Sequence, residues 1–157
     1  PADRIPLADG SVSKVVIVLA LQNMTNPQKV VEECSRVLKS GGELFLVLNH
    51  PAFRVPKHSS WGYDEKNGVQ YRRLDEYISE SKTEIVMNPG KGGGEKTISF
   101  HHPLQFYFKA LGKAGFAVTR LEEWTSHKIS DKGARKTAED TARKEIPLFM
   151  CLELKKI

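Results

Sequence analysis

The feature that most restricts the fold of this chain is an uninterrupted apolar run near its beginning. Residues 15–21, with the sequence VVIVLAL, are apolar at every position and rich in β-branched side chains. A strand with one face in water alternates polar and apolar residues, whereas a strand that is covered on both faces does not. The run therefore predicts an interior strand of a parallel sheet, which ends at Gln22 and Asn23.

A helix and a second buried strand follow this run. Asn26 is suited to cap a helix and Pro27 to occupy its first position. Apolar residues then recur at helical spacing, namely Val30, Val31, Cys34, Val37 and Leu38. We expect Lys39 to lie in the last turn and Gly41-Gly42 to stop the helix. A strand at 44–48 then completes a βαβ unit.

The middle of the chain, residues 52–100, lacks strong core periodicity and is longer than a connection needs. Long insertions of this kind often form lids or binding loops. Within it, 84–87 and 96–100 predict a hairpin with a glycine-rich tip at 88–94. The tip approaches the pattern of a phosphate-binding loop, but Glu95 stands where the second glycine is required and no helical pattern follows. A hairpin tip is therefore the favoured interpretation.

Regular structure is predicted again after residue 102. Pro103 begins a helix that Gly115 stops, and 116–124 reads as a strand. A helix near 137–144 and a final strand at 148–154 complete the pattern. A length of 157 residues fits one domain.

Composition and charge exclude several classes of protein. Hydrophobic residues make up 39% and charged residues 27%, which is a soluble globular balance, and no apolar run approaches the roughly 20 residues of a membrane helix. The net charge is +5, but the basic residues are scattered among acids, which disfavours nucleic-acid binding. Cys34 and Cys151 stand alone and the five histidines lack metal-ligand spacing, so we expect reduced thiols, a cytoplasmic location and no metal site.

Three segments together resemble the class I S-adenosylmethionine-dependent methyltransferases. They are 5–11 (IPLADGS), the apolar run, and Glu33-x-x-Arg36-Val37-Leu38-Lys39 followed by Gly41-Gly42. The family usually has LPF-x-DGSFD and E-x-x-RVLKPGG at these places. The resemblance implies an α/β fold with a partial Rossmann-like sheet, containing strands 4-5-7-6 of the family order 3-2-1-4-5-7-6. It further implies that 1–157 is a single domain corresponding to the C-terminal half of the family fold, with 52–100 as a lid inserted in it.

The chain departs from the family in ways that bear on the cofactor. The G-x-G-x-G turn after the family's first strand is absent, and so is the acidic residue at the end of its second strand that holds the cofactor ribose, since both precede this region in the family. Val12-Ser13 and Ser40 also replace the usual Phe-Asp and Pro. Without the neighbouring strand 1, the apolar strand at 15–21 would have an unpaired edge. We therefore expect a half-fold that is completed by another segment, by a complementing N-terminal chain or by a second copy in a homodimer.

The function implied by the resemblance is methyl transfer from S-adenosylmethionine to a small-molecule acceptor, with the main cofactor-binding motif absent from this chain. Two alternatives stay open. One is a non-catalytic partner or regulatory half-fold that binds another protein chain, and the other is a truncated fragment of a whole enzyme.

Candidate site residues follow from the rule that ligands of open α/β sheets bind beyond the carboxyl ends of the strands. The resemblance assigns the cofactor to Leu21, Gln22 and Asn23, for which an ordinary polar loop is the alternative. His50 follows the second strand and is the candidate general base, with a capping or structural role as the alternative. The candidate substrate-binding residues are Asn49, Phe53, Trp61, Tyr63, Tyr71 and His101. For the aromatic residues the alternative is packing of the lid, and for His101 it is capping of the following helix.

Overall fold

A four-stranded sheet forms the centre of the computed structural model, which describes residues 1–86 and 96–157. Its strands are β1 (Val12–Val18), β2 (Leu38–Asn49), β7 (Phe116–Trp124) and β8 (Phe149–Lys156). Their order is β1-β2-β8-β7, with β1 parallel to β2 and β8 antiparallel to both of its neighbours. This order confirms the predicted sequence of family strands 4-5-7-6.

The first helix, α1, spans Pro27–Val37 and begins as predicted, because Oδ1 of Asn26 accepts a hydrogen bond from the backbone N–H of Lys29 over 3.3 Å. It ends earlier than predicted, so the expectation that Lys39 lies in its last turn is wrong. Leu38 is already extended and pairs with Val12 as the first residue of β2. Leu38 therefore begins β2 by pairing with β1 and does not extend the helix.

Two hairpins occupy the chain between β2 and the second helix. The first joins β3 (Ser59–Asp64) to β4 (Val69–Leu74), and the second joins β5 (Ser81–Val86) to β6 (Lys96–His101). The second hairpin was predicted and the first was not. The glycine-rich tip at 88–94, together with Glu95, lies outside the described residues.

Two more helices complete the fold. They are α2 (Leu104–Lys113) and α3 (Lys136–Glu145), close to their predicted positions. β4 contacts α3, and β6 contacts a 3-10 turn at Leu21–Asn23. Across the described residues, every helix is too short or too polar to cross a membrane.

The hydrophobic core lies between one face of the sheet and the helices α1 and α2. Leucines from the two central strands are fully buried in it, namely Leu44, Leu46, Leu48, Leu152 and Leu154. Helix α1 contributes Val30, Val31 and Cys34, while Tyr107 and Leu111 come from α2. Full burial of a large apolar side chain stabilises a fold by about 1.5–3 kcal/mol, so this layer holds the sheet and helices together.

Strand β1 differs from the prediction in position and in environment. It begins at Val12 and ends at Val18, whereas Leu21 lies in the 3-10 turn. Within the described part of the chain β1 pairs with β2 alone, so it is an edge strand and not an interior one. Val16 is 63% exposed and Val18 58% exposed on the face away from the helices. The apolar character of this face is therefore not accounted for by packing within the described residues.

The N-terminal loop is held against α1 by the pair Glu33 and Arg36. Nη1 of Arg36 donates to the carbonyl of Leu7 over 2.8 Å, and Nη2 donates to the carbonyl of Ile5 over 2.9 Å. Oε2 of Glu33 accepts the N–H of Ile5 over 2.9 Å. Hydrogen bonds from Arg36 and from the Ile5 backbone lower the pKa of Glu33 to about 2. The E-x-x-R spacing thus places both side chains on one helix face, where they fix the loop that leads into β1.

Candidate functional site

The chain turns sharply where β1 ends. Leu19 adopts a left-handed conformation with φ of 51°, which a branched side chain rarely adopts. This turn lets the carbonyl of Leu19 accept a hydrogen bond from Nε2 of Gln22 over 2.9 Å. Gln22 is buried, and its Oε1 has no hydrogen-bond partner among the residues that the structure describes. A buried amide oxygen is therefore left ready to accept a hydrogen bond at the end of β1.

The carboxyl end of β2 carries Asn49 and His50. Oδ1 of Asn49 accepts a hydrogen bond from Nη1 of Arg54 over 2.7 Å. The guanidinium of Arg54 also lies over the ring of Phe149, 5.1 Å from its centroid, and burial lowers the pKa of Arg54. Arg54 therefore places a half-buried positive charge beside Asn49.

The geometry of His50 leaves neither ring nitrogen free. Its Nδ1 accepts the N–H of Ala52 over 3.2 Å, so the ring proton must sit on Nε2, which lies 2.8 Å from Oε1 of Glu123. The side chain is only 3% exposed. A general base needs an available lone pair, and this arrangement offers none. The observed contacts favour the structural alternative for His50.

His101 and Tyr77 connect the hairpins to α2. Nε2 of His101 lies 2.8 Å from the carbonyl oxygen of Tyr77, which can only accept, so His101 donates this bond. The hydroxyl of Tyr77 in turn accepts the N–H of Leu104 over 3.0 Å. Because Pro103 provides no side-chain cap, Tyr77 satisfies one of the first free amides of α2. The hydrogen bond from His101 therefore fixes the position of Tyr77, which caps α2.

The next residue, His102, forms a carboxylate–imidazole pair. Nδ1 of His102 lies 2.9 Å from Oε2 of Glu80, while its Nε2 is buried with no hydrogen-bond partner in residues 1–86 and 96–157. The ring stacks on Phe106, with centroids 4.0 Å apart and planes at 14°. Burial lowers the pKa of His102 below its usual 6.5, which outweighs the opposing effect of Glu80. Nδ1 then carries the proton, and Nε2 presents a lone pair.

These groups meet in a small cavity of about 20 Å³ beyond the ends of β1 and β2, which we call the strand-end cavity. It is lined by Gln22, Asn49, Pro51, Arg54, Pro56, Ser99, Phe100, His101, His102 and Tyr107. A volume of this size holds one group as large as a water molecule. A larger cavity of about 580 Å³ lies beside α3, but a single surface loop and that helix form it, away from the strand ends.

The structure brings only some of the predicted site residues to the strand-end cavity. Gln22, Asn49 and His101 line it. Leu21 is packed in the hydrophobic core, and Asn23 is half-buried outside the lining. The assignments of these residues remain predictions, but their positions favour Gln22 over Leu21 and Asn23 as the residue that contacts the cofactor.

The predicted aromatic residues lie elsewhere. Phe53 packs on the ring of His50 at 4.8 Å, and Trp61 lies under the guanidinium of Arg72 at 5.1 Å. Tyr63 lines a different cavity, between the first hairpin and α3, and Tyr71 is exposed on β4. Phe53 and Trp61 thus have the surroundings of the packing alternative, and the strand-end cavity is lined by other residues.

Sequence reasoning missed Glu80, Arg54 and His102. Glu80 and His102 are 22 residues apart, at the two outer ends of the second hairpin, and no motif spacing links them. The antiparallel pairing predicted for this hairpin was the one available signal, since it brings the ends of its two strands together. Within the described residues, no three metal-ligating side chains converge.

Comparison with known proteins relates the chain to methyltransferases. Residues 1–46 match the family model described as "Methyltransferase domain". The ubiquinone/menaquinone biosynthesis C-methyltransferase UbiE of Acidiphilium cryptum is 32% identical over 89 residues, which are 51% of this chain and 35% of that protein. The thiol S-methyltransferase TMT1B of Homo sapiens is 41% identical over 61 residues, covering 39% of this chain and 23% of that protein.

A solved structure extends the similarity to almost the whole chain. The S-adenosylmethionine-dependent methyltransferase from Mesorhizobium loti superposes with a TM-score of 0.72 at 20% identity, covering 99% of this chain and 66% of the other. The similarity at this identity establishes the fold. The chain spans about two thirds of that structure, and its matches span smaller parts of the curated relatives.

Proposed function

We propose that this chain takes part in methyl transfer from S-adenosylmethionine to a small molecule. The premise is that it has the fold of the class I S-adenosylmethionine-dependent methyltransferases and that its first 46 residues match the methyltransferase domain model. The observation that carries the proposal is the strand-end cavity. It lies at the carboxyl ends of β1 and β2, where open α/β sheets bind their ligands, and two of its lining residues have buried acceptor atoms that lack a hydrogen-bond partner among the described residues. Buried polar atoms are rarely left unpaired unless a ligand or water completes them.

The residues present fit one part of the cofactor. S-adenosylmethionine supplies a methyl group bound to a positively charged sulfur, and it also carries amino groups that donate hydrogen bonds. Among the described residues Oε1 of Gln22 has no hydrogen-bond partner, so it would accept a hydrogen bond from such an amino group, and Asn23 is the second polar residue of the same turn. The Gly-rich turn that holds the rest of the nucleoside in this family follows the family's first strand, which precedes the region that this chain resembles. We infer that this chain contacts the methyl-donor side and that a further segment holds the remainder.

The free edge of β1 supports the second part of this proposal. In the described residues β1 has one neighbour, and the exposed Val16 and Val18 form an apolar face beside that edge. Exposed edges of this kind are templates for pairing with another strand. The segment that carries the Gly-rich turn, from this protein or a complementing chain, would pair along β1 and cover the two valines.

The same exposed face favours a second candidate function, that of a non-catalytic half-fold whose role is to bind another protein chain. The two candidates share the β1 contact and differ at the strand-end cavity. A binding partner needs only the strand edge, whereas a methyltransferase also needs the cofactor to reach Gln22.

Calorimetric titration with S-adenosylmethionine tests the proposal. It is run on the chain alone and on the chain mixed with the Gly-rich N-terminal segment of a related methyltransferase. We expect micromolar binding in the mixture and a clear loss of affinity in a Gln22→Ala variant, with Gln28→Ala, on the exposed side of α1, as the matched control. Light scattering of the same samples reports the complex. Complex formation without cofactor binding would favour the non-catalytic candidate, and neither event would contradict both.

A further inference from the structure

The pair formed by Glu80 and His102 has the geometry of a positioned base. A carboxylate can only accept, so Glu80 fixes the proton of the neutral imidazole on Nδ1 and leaves the lone pair on Nε2. Stacking on Phe106 and an edge contact to Tyr107 hold the ring in place. His50 presents the opposite case, because both of its nitrogens are already engaged. Of these two histidines, His102 is the one whose ring has a nitrogen without a hydrogen-bond partner among the described residues.

The size and the lining of the strand-end cavity restrict which methyl-acceptor groups can bind in it. Nε2 of His102 is a buried hydrogen-bond acceptor on one of its lining residues, and it is separate from Oε1 of Gln22, which the proposed function assigns to the cofactor. The cavity of about 20 Å³ accommodates one group of the size of water. A hydroxyl or amino group has that size and supplies the missing hydrogen. A thioether or a carbon acceptor does not.

We propose that His102 is the general base of the methyl transfer, that Glu80 is its positioning residue, and that the acceptor is a small molecule whose reacting atom is a hydroxyl oxygen or an amino nitrogen. This inference rests on the proposed function. The lone pair of the acceptor atom forms the new bond to the methyl carbon as the carbon–sulfur bond breaks, and that bond's electron pair stays on sulfur. The acceptor's proton moves to Nε2 of His102, and the imidazolium is stabilised by Glu80 until the proton passes to solvent.

The charges around His102 keep it in the basic form at neutral pH. Burial lowers the pKa of His102 and the neighbouring His101 lowers it further, whereas Glu80 raises it. Tyr107 on α2 is neutral, because burial raises the pKa of its hydroxyl. Arg54, which also lines the strand-end cavity, carries a positive charge that favours an anionic acceptor atom.

The first experiment measures methyl transfer in whichever form of the protein binds S-adenosylmethionine in the titration above. Phenol and aniline serve as acceptors with a proton, and dimethyl sulfide as an acceptor without one. His102→Gln removes the base, and His102→Phe removes it while keeping the stack on Phe106. We expect both to lower kcat for phenol and aniline by about 10²- to 10⁴-fold, the usual contribution of a general base. Cofactor affinity should change less than about twofold, and His127→Gln, an exposed histidine, is the control.

The second experiment reads the imidazole directly by two-bond ¹H–¹⁵N NMR. We expect His102 to be an Nδ1–H tautomer that titrates below 6.5, and Glu80→Gln to move its titration to lower pH, since Glu80 raises the pKa of His102. The acidic limb of the pH–rate profile should move in the same direction. A structural role for Glu80 would lower stability without moving that limb.

The outcomes separate this inference from the function on which it rests. An Nε2–H tautomer, or a full transfer rate in His102→Gln, overturns the inference alone and leaves a cavity that holds a structural water. Transfer to dimethyl sulfide in preference to phenol and aniline overturns the acceptor class. Absence of cofactor binding and of any transfer in the unaltered protein overturns the proposed function, and the inference falls with it.

Discussion

Nε2 of His50 donates a hydrogen bond to Oε1 of Glu123 over 2.8 Å, and this bond connects the end of β2 to β7 across the intervening strand β8. The imidazole also accepts the N–H of Ala52 and packs on Phe53. It thus closes the turn that follows β2 and fixes it to the far strand.

Replacing His50 by Leu should lower the free energy of unfolding by about 1–3 kcal/mol, because the N–H of Ala52 loses its buried acceptor. Urea denaturation monitored by circular dichroism measures the change. His127→Leu, at an exposed site, should stay within about 0.5 kcal/mol of the unaltered protein. An unchanged midpoint for His50→Leu, combined with a shifted pH–rate profile, would restore the general-base role predicted from the sequence.

The free energy of unfolding should fall in acid because Glu33 becomes protonated. Its pKa is lowered from 4.5 to about 2 in the folded state, so its contribution is fully present above pH 4.5 and is lost as the pH falls towards 2. Thermal melting across that range should show a smaller decline for Glu33→Gln than for the unaltered chain. Glu32→Gln, one residue away and exposed, is the matched control and should keep the original slope. Equal slopes in all three proteins would contradict the assignment.

Lys156 caps the carboxyl end of α1 from the last strand. Its ammonium donates to the carbonyls of Ser35 and Leu38 over 2.6 and 2.8 Å, where the helix dipole is negative. We expect Lys156→Met to lower the free energy of unfolding by about 1 kcal/mol, measured in urea. Lys155→Met, at the exposed neighbouring position, removes the same charge and should have little effect. Equal losses in both variants would mean that net charge, and not the cap, is responsible.

Charges introduced on β1 should weaken binding of a complementing segment but should leave the stability of the chain alone almost unchanged. Val16→Lys and Val18→Lys place charges on a face that is already exposed, so the chain alone should lose less than about 0.5 kcal/mol. Binding of the complementing segment, followed by calorimetry, should weaken by at least about tenfold, because lysines oppose strand addition. Leu46→Ala is the contrasting variant: it should cost the isolated chain about 2–5 kcal/mol, since Leu46 is fully buried. Undiminished complex formation by both lysine variants would place the contact elsewhere.

The sequence predicts the sheet and the start of α1 because their signals are local. Asn26 and Pro27 mark the helix start, and apolar runs mark β1, β2 and β8. The end of α1 was misplaced because pairing of Leu38 with Val12 depends on residues far apart in the chain. The β3–β4 hairpin was missed because its strands are mixed in polarity and pair mainly with each other.

The candidate site was only partly accessible to sequence reasoning for the same reason. Gln22 follows β1 and Asn49 ends β2, so the rule of strand ends finds both without a structure. The role of a histidine, however, depends on its neighbours. His50, His101 and His102 differ in what occupies their nitrogens, and those partners are Glu123, the carbonyl of Tyr77, and Glu80.

The hydroxyl of Tyr77 accepts a hydrogen bond from the first backbone N–H of α2, and this bond joins the segment between the two hairpins to the helix. A ligand larger than a single small group reaches His102 only if these segments move apart. Any displacement that separates Tyr77 from Leu104 strands a partly buried N–H and frays the helix start. Opening of this enclosure therefore costs the free energy of that hydrogen bond, which is regained when Tyr77 and Leu104 meet again.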